Sequence, residues 1–137
     1  MTFSVREPLL IKKTISDVKH SVYGLLLTLD NGVLLLIGDS GYKLGAISIA
    51  TPMLGVPEMG VTSSLIFPSR DTRANVLSRI LSERCARALG IPCMAIVNIK
   101  LPDHRDLQKL IIKLLDQLIS EAKKVLKHES SSCNDRL

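Results

Sequence analysis

The sequence has no tryptophan, and aromatic residues make up only 3% of its 137 residues, although 46% of them are hydrophobic. Its apolar mass is therefore almost entirely Leu, Ile, Val and Ala. Uninterrupted apolar runs such as Val33 to Ile37 are far shorter than the ~20 residues that a membrane helix needs. No small-residue cleavage site follows an apolar block near the N-terminus, so we expect no secretory signal. These absences predict a cytoplasmic and nuclear protein that does not bind a membrane.

Cysteine is also scarce, and the three residues Cys85, Cys93 and Cys133 show no Cys-x-x-Cys spacing. An odd number without that spacing predicts reduced thiols. The net charge of +5 would suit nucleic acid if the basic residues were clustered. They are instead interspersed with Asp and Glu along two predicted helices, and only four Tyr and Phe side chains could stack on bases. We therefore expect no nucleic-acid partner.

Sequence motifs for catalysis or cofactor binding are weak or missing. The segment Gly38 to Gly41 (GDSG) copies the tetrapeptide around the nucleophile of trypsin-like serine proteases. Those enzymes need two barrels and a His and Asp delivered from elsewhere, whereas Gly, Asp and Ser are common in turns. The histidines have no partner at ligand spacing, and no glycine-rich phosphate motif is present. We expect a protein that is not an enzyme and holds no metal or cofactor.

The periodicity predicts six strands and two helices. Asn31-Gly32 is typical of a tight hairpin between the second and third strands. Ser69 or Asp71 caps the first helix, which ends at Gly90, and Asp103 caps the second, which runs to about Lys127. The predicted strands are Leu9 to Ile15, Val22 to Leu29, Val33 to Ile37, Gly45 to Ala50, Val61 to Phe67 and Cys93 to Ile99.

These elements predict a single α+β domain over residues 1–127, followed by a disordered polar tail over 128–137. Its order is βββββαβα. We expect a single six-stranded, largely antiparallel sheet with two helices packed on one face, and only the last crossover is a candidate for parallel pairing.

The number of helices has a consequence for the sheet. Two helices can cover only one face of six strands, because helices pack ~8–10 Å apart and strands ~4.8 Å apart. Yet Val33 to Ile37 is apolar at every position, and so is Leu25 to Leu27, which indicates that both faces are dry. A second polypeptide is the predicted cover for the open side. The alternative is that the N-terminal segment or a loop folds over it.

The order of several segments resembles the proteasome assembly chaperone 4 family. The resemblance covers roughly residues 9 to 122, and the segments that carry it are Leu34 to Asp39, Leu44 to Ala50, Val61 to Leu65, the helix Val76 to Leu89 and the strand Met94 to Ile99. It implies a non-enzymatic protein that forms a heterodimer with the related third chaperone. The pair would bind the alpha-five subunit while the alpha ring of the 20S proteasome assembles. A small adaptor or scaffold subunit of another complex is the alternative.

For the partner interface we predict the less bulky side of the strands, since the bulkier Leu27, Ile47 and Ile49 suit the helix side. Its members are Leu26, Thr28, Ala46, Ser48, Thr62 and Ser64.

For the proteasome subunit we predict contact through the loops Gly38 to Leu44 and Thr51 to Gly60 and the basic helix start Arg70 to Arg73, because loops on a rigid sheet often carry recognition. The candidate residues are Asp39, Tyr42, Lys43, Arg70 and Arg73. The alternative is that these segments are ordinary solvated connections.

Overall fold

The computed structural model describes residues 7–53, 60–100 and 104–134, which form six strands and two helices as the sequence predicts. In chain order the elements are β1 (Leu10–Ser16), β2 (Ser21–Leu29), β3 (Gly32–Gly38), β4 (Ala46–Pro52), β5 (Val61–Phe67), α1 (Thr72–Leu89), β6 (Cys93–Asn98) and α2 (Arg105–Asn134). Neither helix, over the described residues, is long and apolar enough to cross a membrane.

The sheet is mixed, which corrects the predicted largely antiparallel arrangement. Its order is β1-β2-β3-β6-β4-β5. The last strand, β6, enters between β3 and β4 and runs parallel to β3 and antiparallel to β4. The connection from β5 through α1 to β6 passes over β4, which α1 contacts. Strand β6 is therefore separated from β5 by β4.

Local signals set the ends of α1. The Asp71 carboxylate accepts a hydrogen bond from the N–H of Arg73 at 3.0 Å and caps the helix. At the other end Gly90 adopts a left-handed backbone with φ of 71°, and its N–H donates to the carbonyl of Ala86 at 2.8 Å. Both ends of α1 are where the sequence predicts them.

The second helix differs from its prediction. The predicted cap, Asp103, lies outside the described residues. The helix continues to Asn134, past the predicted end near Lys127 and into the segment predicted as a disordered tail. Its apolar stripe is buried over the first part of this length, and it includes Leu107, Ile111, Leu114, Leu115 and Leu118.

Both helices pack on the same face of the sheet. Helix α1 contacts β4, β5 and β6, and α2 contacts β1 and β2. Each helix begins at the end of the sheet where β3 and β6 terminate, so the two helices run parallel. We call this the loop end, since the turns between β1 and β2, β3 and β4, and β5 and α1 all lie there. The opposite, far end carries the β2–β3 hairpin and the connection from β4 to β5.

Two cysteines, one on α1 and one on β6, lie in the hydrophobic core. Cys85 of α1 and Cys93 of β6 are both fully buried and unpaired by a disulfide. A hydrogen bond with Cys85, together with burial, raises the pKa of the Cys93 thiol. Both side chains pack in the hydrophobic core between α1 and the sheet.

Candidate partner-binding face

The face of the sheet opposite the helices, here called the open face, is mainly apolar. The strand register places its side chains in two parallel rows. One row consists of Leu10, Leu27, Leu34, Met94, Ile49 and Ser64, and the other of Lys12, Leu25, Leu36, Ile96, Ile47 and Phe67. Lys12 is the one charged residue in these rows.

Neighbouring side chains at the centre of the open face shield one another from solvent, whereas side chains at its two edges are exposed. Ile96 has 8% of its surface accessible, whereas Leu10 and Phe67 at the two edges have 48% and 60%. Six strands at ~4.8 Å spacing make this surface about 24 Å wide. A contiguous apolar surface of this extent is typical of a protein–protein interface.

Four of the six predicted interface residues are on the wrong face. Leu26, Ala46 and Ser48 are fully buried, and Thr28 is 5% exposed, because all four point toward the helices. The Ser48 hydroxyl is 2.6 Å from the Ser78 hydroxyl of α1, which fixes this orientation.

The other two predicted interface residues, Thr62 and Ser64, lie on the open face at its β5 margin. Ser64 pairs with Ile49, and Thr62 pairs with Thr51. Both are exposed. The bulky Leu27, Ile47 and Ile49, predicted to face the helices, are instead in the centre of the open face.

The sequence of α1 indicates which side of β4 faces the helices. The side of α1 that contacts the sheet carries small residues at intervals of four, and its buried positions include Ala74, Ser78, Ser82 and Ala86. Small side chains on both surfaces let a helix approach a strand closely, so the small side of β4 belongs under α1. Ile80, by contrast, is 47% exposed and faces away from the sheet.

The predicted subunit-contact residues are gathered at the loop end. Tyr42 is 46% exposed, and its ring lies edge-on to Tyr23 with the centroids 6.0 Å apart. Lys43 and Arg70 are also exposed there. Arg70 lines a cavity of about 370 Å³ between the turn after β3 and the start of α1. The predicted Thr51 to Gly60 loop belongs to the far end, and residues 54–59 lie outside the described part.

Two of these residues have local partners. The Asp39 carboxylate accepts a hydrogen bond from the N–H of Lys100 at 2.8 Å and so ties the turn after β3 to the segment after β6. Arg73 donates to both carboxylate oxygens of Asp71 at 3.1 and 3.2 Å. These hydrogen bonds, with that from the Arg73 backbone, lower the pKa of Asp71.

The GDSG segment is a structural turn. A Cβ atom on Gly38 would lie 2.3 Å from the Gly41 carbonyl oxygen, so only glycine fits there. Sequence reasoning missed that His20 and His104 meet at the loop end, with ring centroids 4.7 Å apart. Among the described residues, no three His, Cys, Asp or Glu side chains form a group that could hold a metal ion.

Comparison with known proteins gives a likeness in fold. No protein-family model matches the chain, and a search of curated proteins found no match. Among solved structures, the chain is similar to one described as the crystal structure of a novel chaperone complex for yeast 20S proteasome assembly. The TM-score is 0.57 at 14% sequence identity, over 89% of this chain and 97% of that chain. The chain therefore shares the fold of a component of that chaperone complex.

Proposed function

We propose that this chain is a non-enzymatic assembly chaperone of the 20S proteasome that works as half of a heterodimer. Its partner is the related third chaperone, and the pair binds the alpha-five subunit during assembly of the alpha ring. It acts in the cytoplasm and nucleus. The observation that carries the proposal is the open face, an apolar surface across six strands that neither described helix covers.

The shape and chemistry of the open face favour another sheet as its partner. Two sheets stack ~10 Å apart with their side chains interdigitated, which suits rows of Leu and Ile such as Leu27, Leu34 and Ile49. A partner of the same fold would place its own helices on the outside. The fold likeness to a proteasome assembly chaperone complex supports a role in proteasome assembly over the alternative of a small adaptor or scaffold subunit of another complex.

The loop end is the proposed contact with the alpha-five subunit. Tyr42, Lys43 and Arg70 are exposed there, and the apolar open face would be occupied by the chaperone partner. Arg73 and Asp39 support the surface through their hydrogen bonds to Asp71 and Lys100.

The test of the partner face is a double substitution, Leu27→Asp with Ile49→Asp. Both side chains are half-buried on the open face, so the free chain can still hydrate the carboxylates, whereas a stacked sheet would bury them. We expect loss of co-purification with the third chaperone, measured by affinity capture and light scattering after gel filtration.

The matched control is Val76→Asp with Ile80→Asp on the outer side of α1, where the two residues are 57% and 47% exposed. The control should pair normally. Normal pairing by the open-face variant would refute the proposed interface. Capture of a different complex in place of proteasome alpha subunits would favour the adaptor alternative.

A further inference from the structure

A cavity opens at the loop end, between the turn after β3, the end of β5 and the start of α1. Its volume is about 370 Å³, which is at the lower end of the range of roughly 300–1,000 Å³ found for ligand sites. The lining includes Ala74, Val97 and Ile99, which are buried and form an apolar floor. It also includes Leu44 and Phe67, which are largely exposed and form an apolar rim. The cavity can therefore bury one apolar group.

Side-chain hydrogen bonds hold the walls of this cavity in place. The Asn98 side chain donates to the carbonyl of Leu44 at 2.7 Å and ties the turn after β3 to the end of β6. On the α1 side, the Asn75 side chain accepts from the N–H of Ser69 at 2.6 Å and donates to the Ser69 carbonyl at 3.2 Å. A ligand that enters the cavity therefore orders little of the protein, which lowers the entropic cost of binding.

The charge of the cavity is positive. Among the described residues that line it, Arg70 is the only charged one, and its side chain has no hydrogen bond or ion pair with another described residue. The neighbouring Asp71 is not part of the lining. Its carboxylate is already bound by the backbone N–H, the Nε and an Nη of Arg73, which offset its charge. An anion in the cavity would therefore meet an unpaired cation and no acidic lining residue.

We infer that this cavity binds the C-terminal residue of a protein partner when that residue has an apolar side chain. A C-terminal residue carries its side chain and its carboxylate on one Cα atom, so it supplies both an apolar group for the floor and an anion for Arg70. A guanidinium can donate two parallel hydrogen bonds to such a carboxylate. An internal Asp or Glu fits less well, because its chain would have to cross the rim twice, where Leu44 and Phe67 project.

The inference deepens the proposed contact of the loop end with the alpha-five subunit. It rests on that proposal for the identity of the partner, whereas the chemistry of the ligand follows from the cavity. The floor lies on the helix side of the sheet, since Val97 pairs with the buried Ala46 of β4 and Ala74 belongs to α1. Pairing over the open face would therefore leave the floor accessible.

The test uses the full chain and the fluorescein-labelled peptide Gly-Ser-Gly-Ser-Leu, with either a free C-terminal carboxylate or a C-terminal amide. Fluorescence anisotropy measures the binding. We expect the acid to bind at least about tenfold more tightly than the amide, because hydrogen bonds to a charged group are stronger than neutral ones. An acid peptide that ends in Gly in place of Leu should also bind more weakly, because it leaves the apolar floor unfilled.

The variant Arg70→Gln removes the charge and keeps a polar side chain at an exposed position. It should bind the acid about tenfold more weakly and the amide nearly as before, so that the difference between the two peptides disappears. The matched control is Arg87→Gln, at an exposed position near the other end of α1. It should bind both peptides like the unaltered chain.

Equal binding of the acid and the amide by the unaltered chain, or no binding at millimolar peptide, would overturn the inference. Tighter binding of an amidated peptide with an internal Asp before Leu would overturn the assignment to a chain terminus. If neither peptide binds but Arg70→Gln still weakens capture of alpha-five, the loop-end contact stands and the cavity site falls. If the acid binds as expected but alpha-five is not captured, the cavity site stands and the proposed partner is wrong.

Discussion

Ser48 lies where α1 crosses β4, and its hydroxyl takes part in a short chain of hydrogen bonds. Ser78 donates to the carbonyl of Asn75 at 2.8 Å, so Ser48 donates to the Ser78 oxygen, 2.6 Å away. The alternation of small and bulky residues in β4 is visible in the sequence and correctly groups Ala46 with Ser48. The sequence does not show which of the two groups faces the helices, because an alternation with a period of two defines two faces of a strand without indicating what covers each face.

The burial of Ser48 separates two substitutions that the sequence treats as equivalent. Ser48→Asp should lower the free energy of unfolding by about 3 kcal/mol or more, because an uncompensated carboxylate would be buried under α1. Thr62→Asp, at the exposed margin of the open face, should leave the unfolding transition nearly unchanged. Urea denaturation followed by circular dichroism measures both. Equal stability of the two variants would contradict the assignment of the two faces.

At the scale of elements, the strands could be predicted better than their order. Both β3 and β6 are apolar at successive positions, which is typical of central strands, and they are neighbours in the sheet. The sequence did not show that β6 enters between β3 and β4. An 18-residue helix can carry the chain over one strand or two, so the crossover alone does not determine the neighbour.

The contact of α2 with β2 depends on the absence of a side chain at Gly24. A Cβ atom there would lie 2.8 Å from Leu118 Cδ1 and 2.9 Å from Leu114 Cδ2. Helix α2 therefore approaches β2 at a glycine, while the neighbouring Val22 and Leu26 fill the space on either side. The periodicity of the sequence predicted strand β2 but did not indicate why residue 24 of that strand is a glycine.

Gly24→Ala should lower the free energy of unfolding by about 1–3 kcal/mol, since the added methyl group overpacks the contact with α2. Adding Leu118→Ala removes one of the clashing groups. We expect the double variant to be more stable than the sum of the single effects by roughly 1 kcal/mol. Denaturation curves of the four proteins form the cycle. Strict additivity would show that α2 does not press on β2 at this point.

Over the whole molecule, three surfaces with different chemistry lie on different sides. The open face is apolar, the helix layer is basic, and the loop end combines exposed Tyr42 and Leu44 with cations such as Arg70. The number of helices in the sequence was enough to predict that the helices cover only one face of the sheet. The parallel packing of α1 and α2 was not predictable, because it depends on the order and direction of the strands that precede the two helices.

This separation and the proposed function together predict that the proposed pairing with the third chaperone and the proposed capture of the alpha-five subunit can be lost independently. Lys43→Glu with Arg70→Glu reverses two exposed charges at the loop end and leaves the open face intact. Pairing should persist, while capture of alpha-five should weaken about tenfold at low salt and show less salt dependence. Capture assays with the purified heterodimer over a range of salt concentrations measure both effects.

Lys113→Glu with Lys124→Glu, at exposed positions on α2, is the control with the same change in charge. It should capture alpha-five like the unaltered pair, because those lysines are far from the loop-end turns. If the α2 control weakens capture and the loop-end variant does not, the proteasome subunit binds the helix layer instead.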